Sequence, residues 1–314
     1  MARLTSTFIG SAVALGAVLA LVSPSGGAVI DTADRRTVAE WAAANHIDPA
    51  RVGDRYGATG VVTCHWSDAE HGDHVSIATG QVTVRRDIVT LSGHTFHDPF
   101  YCYEKAGPND CQFSITRNGT VQTAAIAEVL ALGFDCDADD TSDYGDRLIN
   151  DWAVARLNRM LDVVPYEIPD LPGPHIEEND LVVSVIHSQD YFFLEANGET
   201  SHPKTVGRCR IRDLLERNGE TIYVTSDCDG AQRSSGGSLL EDIGEVPILI
   251  AVWTANLEDP PLLAAAVERM IEAGGFRVGL VNRGLYGVNS WSSRHVTVTG
   301  AFLDAIRAEV GRAP

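Results

Sequence analysis

Positively charged side chains are scarce in this chain. Its 314 residues include 24 Lys and Arg against 43 Asp and Glu, which gives a formal net charge of −19. A nucleic acid or an acidic membrane surface would be repelled by this charge. The composition therefore predicts no nucleic-acid partner.

Long apolar runs are also missing, with one exception at the N-terminus. Arg3 precedes an apolar stretch over 8–22, and small residues over 23–28 follow it. The stretch is shorter than the roughly 20 residues that a spanning helix needs, and the order of the three parts is typical of a signal peptide cleaved after Ala28. We expect a secreted or periplasmic protein with no stable membrane insertion after cleavage; the alternative is a permanent membrane anchor.

Several familiar catalytic motifs are absent. There is no Gly-x-Ser-x-Gly elbow, no phosphate-binding glycine loop and no His-Glu-x-x-His. The sequence therefore lacks the motifs typical of α/β-hydrolases, nucleotide-dependent enzymes and zinc proteases. Carboxylates over 135–146 alternate as in a calcium loop but lack its sixth-position glycine. Cys64 with His65, His71 and His74 are zinc-ligand types at the spacing of no standard site. We expect neither a metal nor a cofactor.

A histidine, an aspartate and a serine follow one another at wide spacing. His94 ends the strand-like run 88–94, Asp151 opens the alternating run 151–157, and Ser235 precedes two glycines. A serine hydroxyl becomes a good nucleophile when an imidazole takes its proton, and a carboxylate then fixes the tautomer of that imidazole. We predict that these three residues are catalytic.

Alternatives exist for each of these residues. His97 is a rival base and Ser234 a rival nucleophile, and each motif can also be an ordinary surface turn or strand end without chemistry. The backbone amides of Ser235 and Arg233 are expected to form an oxyanion hole. A left-handed backbone at Arg233 would be strained, which leaves open a hole that forms only on substrate binding, or none.

The runs 88–94, 151–157 and 233–238 resemble the histidine, aspartate and serine motifs of the chymotrypsin-like serine peptidases, especially the bacterial secreted, glutamyl-endopeptidase-like branch. The resemblance spans about 57 to the end. It implies an all-β fold of two six-stranded antiparallel Greek-key barrels with a C-terminal helix, acting as a monomer on a protein or peptide substrate. The chain departs from the family in having Arg233 in place of a glycine, and one extra residue before the histidine. We expect that residue to form a bulge at Leu91 or Ser92.

The resemblance also implies substrate-binding residues. Asp229 stands where trypsin-like members bind an Arg or Lys side chain, although it can equally be a turn residue after Cys228. Trp253 and Thr254 fall where the family pairs its substrate as an added β-strand, and an ordinary core strand is the alternative.

Six cysteines behind an export signal indicate an oxidising compartment and up to three disulfides, whose connectivity the sequence does not fix. The resemblance implies a bond between Cys209 and Cys228. The other expected pairs are Cys102 with Cys111, as a local clip, and Cys64 with Cys136.

The expected domain order is a signal peptide over 1–28, an N-terminal extension or pro-segment over 29–56, and a peptidase domain over 57–314. Within this domain we expect barrel one over about 57–162, a proline-rich connection over about 163–180, and barrel two with the final helix over 181–314. Helices are predicted over 32–46, 260–273 and 302–310. Strands are predicted over 60–64, 74–78, 81–84, 87–91, 181–186, 191–195, 221–225, 247–254, 277–281 and 295–299. The segment 124–132 fits either a helix or a strand.

These observations predict an exported serine endopeptidase that forms an acyl-enzyme. The alternative is a catalytically impaired peptidase homologue that binds a protein or peptide without cutting it. A third possibility, an exported β-rich binding protein without a triad, would require three coincidental motifs in the correct order.

Overall fold

The N-terminal part of the chain contacts both barrels, since Arg36 pairs with Val206 of the second barrel and Asp54 contacts Arg117 of the first. The computed structural model describes residues 35–68, 72–99, 103–117, 119–134, 147, 149–189, 193–194, 200–230, 233–258 and 291–311. It begins with β1 (Arg36–Thr37), α1 (Val38–Asn45) and α2 (Pro49–Arg55). Helix α1 begins later than the sequence indicates, because Thr37 and Glu40 form a reciprocal capping box. Trp41 and Ala42 on this helix are buried.

Six strands form the first barrel. They are β2 (Thr59–Asp68), β3 (Gly72–Val82), β4 (Ile88–Leu91), β5 (Cys111–Arg117), β6 (Thr120–Leu132) and β7 (Ala153–Leu157). All neighbours pair antiparallel, and the sheet closes in the order β2-β3-β4-β7-β6-β5. Closure leaves no free sheet edge. The segment left open as a helix or a strand is therefore part of β6, and the two strands expected on either side of Gly80 are one continuous strand.

The second barrel is also closed and six-stranded. It contains β8 (Leu181–His187), β11 (Lys204–Arg217), β12 (Glu220–Ser226), β13 (Ser238–Glu241), β14 (Ile248–Glu258) and β15 (Trp291–Thr297), and β1 adds to one edge of β11. A short hairpin, β9 (Phe193–Leu194) with β10 (Thr200–Ser201), lies between β8 and β11. Strand β11 was not predicted, although Arg208 and Arg210 alternate there with the buried Cys209 and Ile211.

The final helix, α3 (Gly300–Val310), confirms the predicted C-terminal helix. It packs on barrel one, where Phe302 stacks on Trp152 at 4.7 Å and Arg156 contacts the buried Glu309 at 2.7 Å. An aromatic pair of this kind contributes roughly 1 kcal/mol beyond its buried area. Because Trp152 follows Asp151 directly, this contact supports the segment before β7 that carries the candidate carboxylate.

A polar network joins the barrels. The hydroxyl of Tyr166, from the connection between them, lies 2.9 Å from Thr59 Oγ1, which lies 2.8 Å from Ser238 Oγ on β13. Ser238 in turn donates to Gln81 Oε1 at 2.9 Å, and the amide of Gln81 donates to Thr90 O at 2.8 Å. All five residues are buried. Such a network, once fully paired, fixes one arrangement of the two sheets.

Two predicted disulfide pairs are wrong. Cys64 and Cys111 face each other in the β2–β5 ladder with their Cα atoms 4.0 Å apart, and they are bonded to each other. This bond excludes both Cys102 with Cys111 and Cys64 with Cys136, and it also removes Cys64 as a zinc ligand. The predicted bond between Cys209 and Cys228 is confirmed.

Several predictions fall outside the described residues. They are the signal peptide over 1–28, the helix over 260–273, the strand over 277–281, Cys102 and Cys136, and the calcium alternative over 135–146. Within the described part, no helix is long and apolar enough to cross a membrane.

Candidate active site

His94 and Asp151 form a tightly held pair. The Asp151 carboxylate is fully buried, and its two oxygens accept hydrogen bonds from the backbone N–H of His94 at 2.7 Å and from His94 Nδ1 at 2.6 Å. A carboxylate held in this way fixes the ring so that Nδ1 carries a proton and Nε2 presents its lone pair. The His94 side chain retains 24% exposure, so a reactant can reach Nε2.

The local chain explains why these two residues meet. Strand β4 ends at Leu91, and a 3₁₀ turn over Gly93–Thr95 then carries His94. Strand β4 pairs with β7 in regular register, and Asp151 lies just before β7. Both oxygens of the Asp151 carboxylate bond to His94, and among the described residues no hydrogen bond joins the rival base His97 to it.

The predicted bulge in this strand is wrong. Leu91 pairs with Gly80 on one side and with Ala153 on the other, without a register shift. The extra residue is accommodated at Ser92, which lies beyond the ladder in an extended conformation and caps the 3₁₀ turn. Adding a residue after the last ladder pair costs no strand hydrogen bond, whereas a bulge would disrupt one.

The loop that carries Ser235 is tied to barrel one. The N–H of Thr79 donates to Ser235 O at 2.7 Å, and the Thr79 hydroxyl donates to Arg233 O at 2.7 Å. At Gly236, with a φ of 82°, an added Cβ would lie 1.9 Å from Thr79 O and 3.2 Å from Ser92 N. Only glycine allows this approach, which places Ser235 beside the segment that leads into His94.

The two adjacent serines differ in their exposure. Ser234 is completely buried, whereas Ser235 is half-buried. A nucleophile must reach a substrate carbonyl, so exposure favours Ser235 over Ser234. Among the described residues, no hydrogen bond joins Ser235 to the His94 ring, and such bonds are often long in unliganded enzymes.

Arg233 adopts a φ of 75°. This is the left-handed conformation expected at a position where the family has a glycine. For a residue with a side chain this conformation costs about 1–2 kcal/mol. Partial burial also lowers the pKa of its guanidinium. In the described part of the chain, neither the Arg233 nor the Ser235 backbone N–H donates to another protein group, so both are available to an oxygen of a reactant.

Two further predicted residues lie close to this loop. Trp253 is buried and its main chain bonds to the nucleophile loop in both directions, from Gly236 N to Trp253 O at 2.6 Å and from Trp253 N to Gly237 O at 2.8 Å. Thr254 follows it and donates its hydroxyl to Arg294 O at 3.3 Å. Strand β14 continues to Glu258, whereas its partner β13 begins only at Ser238, opposite Val252. No described strand therefore pairs with the β13-side edge of β14 beyond that point.

Asp229 is buried, and it lines a small cavity together with Arg35, Arg208 and Asp227. None of the three catalytic candidates lines that cavity. Within the described residues, no cluster of three or more His, Cys, Asp and Glu side chains is arranged to hold a metal ion.

Sequence reasoning missed Thr79, Gln81 and Ser238. These residues hold the nucleophile loop and β13 against barrel one, yet in the sequence they are only polar residues within strands. The available signal was the alternation of polar residues at Thr79 and Gln81 within β3, continued by Thr83 just past its end; all three are buried. Buried polar groups in a strand need partners from elsewhere in the fold.

Comparison with known proteins identifies the fold. No family model matches the sequence, and no curated protein matches it. Solved structures do: a Glu endopeptidase in complex with MPD has 12% identity and a TM-score of 0.53, over 90% of this chain and 100% of that one. The protease Anisep from Arthrobacter nicotinovorans has 11% identity and a TM-score of 0.50, over 82% of this chain and 98% of that one. At these identities the likeness shows the fold alone, and with its two closed six-stranded barrels and C-terminal helix this chain has the chymotrypsin-like fold of the serine proteases.

Proposed function

We propose that this chain is an exported serine endopeptidase with His94, Asp151 and Ser235 as its triad. The observation that carries the proposal is the His94–Asp151 pair, in which a fully buried carboxylate orients the ring through two short hydrogen bonds. The half-buried Ser235 lies on a loop that packs against the segment before His94. Imidazole, carboxylate and hydroxyl are the three groups that acyl transfer requires.

In the proposed mechanism, Ser235 Oγ attacks a peptide carbonyl while His94 Nε2 takes its proton. The Asp151 carboxylate stabilises the resulting imidazolium, and the N–H groups of Arg233 and Ser235 donate to the oxyanion. His94 then gives the proton to the leaving amine, which yields an acyl-enzyme. Water, activated by His94, hydrolyses the ester and restores the serine.

The edge of β14 that no described strand pairs with beyond Val252 supports a protein or peptide substrate. A peptide added there as an antiparallel strand would run past Ser235, with main-chain hydrogen bonds to the residues after Trp253. Thr254 is the first residue of that edge. An extended peptide bound by its main chain is held in the geometry that endopeptidase attack needs.

The hypothesis that Asp229 binds an Arg or Lys side chain has less support from the contacts. Asp229 is buried and lines a small cavity that Arg35 and Arg208 also line and that none of the three catalytic candidates lines.

Export and the branch within the family are part of the same proposal. The motif over 1–28 supports export, and two disulfides support an oxidising compartment. The runs 88–94 and 151–157 support the bacterial secreted, glutamyl-endopeptidase-like branch.

A fluorophosphonate probe tests the proposal without knowledge of the substrate. Such probes modify serines whose hydroxyl is already activated. We expect peptide mass spectrometry of the purified mature protein to locate the adduct on Ser235, and we expect no adduct in His94→Ala or Ser235→Ala. Ser234→Ala is the matched control and should still be labelled. A folded wild-type protein that takes up no probe would overturn the proposal in favour of a binding homologue.

A further inference from the structure

The indole of Trp253 lies fully buried behind the nucleophile loop. Only 1% of the residue is exposed, and its main chain is bonded in both directions to the glycines that follow Ser235. The side chain is therefore held at a fixed place relative to Ser235. Trp253 is also one of the largest fully buried side chains in the described structure.

The indole extends from β14 to the segment that precedes Ser235 in the chain. A Cβ added to Gly230 would lie 2.6 Å from Cη2 and Cζ2 of the indole and 3.0 Å from Ser234 Oγ. Real Cβ atoms do not approach so closely, so the absence of a side chain at Gly230 is what admits the ring. The tryptophan thus fills the gap between β14 and the backbone of the nucleophile segment.

His295 closes the gap from the side of β15. Its ring meets the indole edge-on with centroids 4.9 Å apart, and its Nε2 lies 2.7 Å from Ser226 Oγ. Burial lowers the pKa of His295 to about 3, so this ring is neutral at physiological pH. Indole and imidazole together leave little room between β14, β15 and Gly230.

The space that the indole fills is where a bound substrate would place the side chain of the residue on the acyl side of its scissile bond. A substrate peptide would pair with the edge of β14 and place the carbonyl of its scissile bond at Ser235. The residue that contributes this carbonyl, on the acyl side of the bond, would then lie between Ser235 and β14. We expect the side chain of that residue to point between β14 and the backbone at Gly230, on the side of β14 that faces Ser234. The described structure has the Trp253 indole there instead of an open pocket.

We propose that Trp253 determines specificity by restricting the residue on the acyl side of the scissile bond to Gly, Ala or Ser. The inference rests on the proposed peptidase function and names its substrate class. Residues of this size need no pocket, whereas Leu, Phe, Arg or Glu would have to displace a buried indole. Displacing the indole is costly, because the close-packed surroundings of a buried tryptophan have no empty space to receive the ring.

A cleavage profile on a mixed peptide library, read by mass spectrometry, tests the proposal. We expect the wild-type protein to cut after small residues. Trp253→Ala should raise kcat/KM for Leu and Phe at that position, relative to Ala, by about 10- to 200-fold, the range for opening or closing hydrophobic space in a pocket. Trp253→Leu is the second variant, which keeps most of the apolar packing and should admit medium-sized side chains.

Trp41→Leu is the matched control. Trp41 is a second buried tryptophan, on α1, where its ring packs under the guanidinium of Arg208. Its replacement should lower the melting temperature and leave the cleavage profile unchanged.

The possible outcomes separate the two proposals. A wild-type protein that is labelled on Ser235 and cuts after large or basic residues overturns the role of Trp253 and leaves the peptidase function intact. Trp253 variants that lose activity with an unchanged profile also overturn it. A protein that neither takes the probe nor cuts any peptide overturns both.

Discussion

Replacing Asp151 by Asn is the most direct test of the candidate triad. The substitution keeps the shape of the side chain and exchanges one oxygen for an NH2 group. Asn Oδ1 can still accept from the His94 backbone N–H, which now lies 2.7 Å from the carboxylate. The NH2 group would face His94 Nδ1, where the carboxylate accepts a hydrogen bond at 2.6 Å.

The consequence is a change of tautomer. An NH2 donor opposite Nδ1 stabilises the ring form with the lone pair on Nδ1 and the proton on Nε2. In that form His94 cannot take a proton from Ser235. We expect the rate to fall about 10⁴-fold, as when the aspartate of such a triad is replaced by Asn, which corresponds to about 5 kcal/mol of lost transition-state stabilisation.

The assay is the rate of fluorophosphonate labelling of Ser235 at pH 7.5, followed by intact-protein mass spectrometry. Asp87→Asn is the matched control, since Asp87 is also a buried aspartate but bonds to Arg85. It should be labelled at the wild-type rate. Labelling of a folded Asp151→Asn protein within tenfold of the wild-type rate would refute the assignment of Asp151.

Three other predictions concern the stability of the fold. Arg233→Gly should stabilise the protein by about 1 kcal/mol, because glycine tolerates the φ of 75° without strain; a lower denaturation midpoint would contradict the strain argument. Burial lowers the pKa values of His187 and His295 to about 4 and about 3. Between pH 6.5 and about 4 the unfolded chain therefore binds protons that the folded chain does not. As the pH is lowered through this range, the free energy of unfolding should decrease by up to about 1.4 kcal/mol per pH unit for each histidine. Urea denaturation at several pH values should show that the free energy of unfolding depends less steeply on pH in His187→Gln than in the wild-type protein. Loss of the Cys64–Cys111 bond, which spans 47 residues, should lower the free energy of unfolding by about 4 kcal/mol, and loss of Cys209–Cys228, which spans 19, by about 3 kcal/mol. If denaturant titrations give the reverse order, the entropy of loop closure does not dominate.

The sequence predicts best the features that depend on neighbouring residues. The strand that ends before His94, the alternating strand after Asp151 and the final helix are each visible as a local hydrophobic period. Many such strands separated by turns indicate an antiparallel all-β fold, the resemblance implies its division into two six-stranded barrels, and the structure confirms both. The unusual backbone at Arg233 was anticipated only through the resemblance, because the family has a glycine at that position, and the φ of 75° agrees with it.

Features that depend on distant pairing could not be predicted in this way. The bond between Cys64 and Cys111 follows from the register of β2 against β5, and no local pattern shows which strands of a barrel are neighbours. Strand β11 was missed because its exposed face carries arginines, although its period of two is regular. The bulge before His94 was wrongly predicted, because the extra residue lies beyond the last paired residue of β4, where it disrupts no strand hydrogen bond. The hydrophobic pattern of the sequence does not show where the pairing of β4 ends.

The role of Thr79 shows why the candidate site belongs to neither barrel alone. His94 and Asp151 come from barrel one, while Ser235 is carried by the loop before β13 of barrel two. Thr79 of barrel one holds both Arg233 O and Ser235 O, and its hydroxyl accepts from the N–H of His187 at 3.1 Å. The strained backbone at Arg233 is therefore stabilised by a contact across the barrels, since an arginine has no preference of its own for that conformation. It follows that separation of the barrels would release the nucleophile loop while leaving the histidine–aspartate pair intact, so reactivity of Ser235 should depend on the docking of the two barrels.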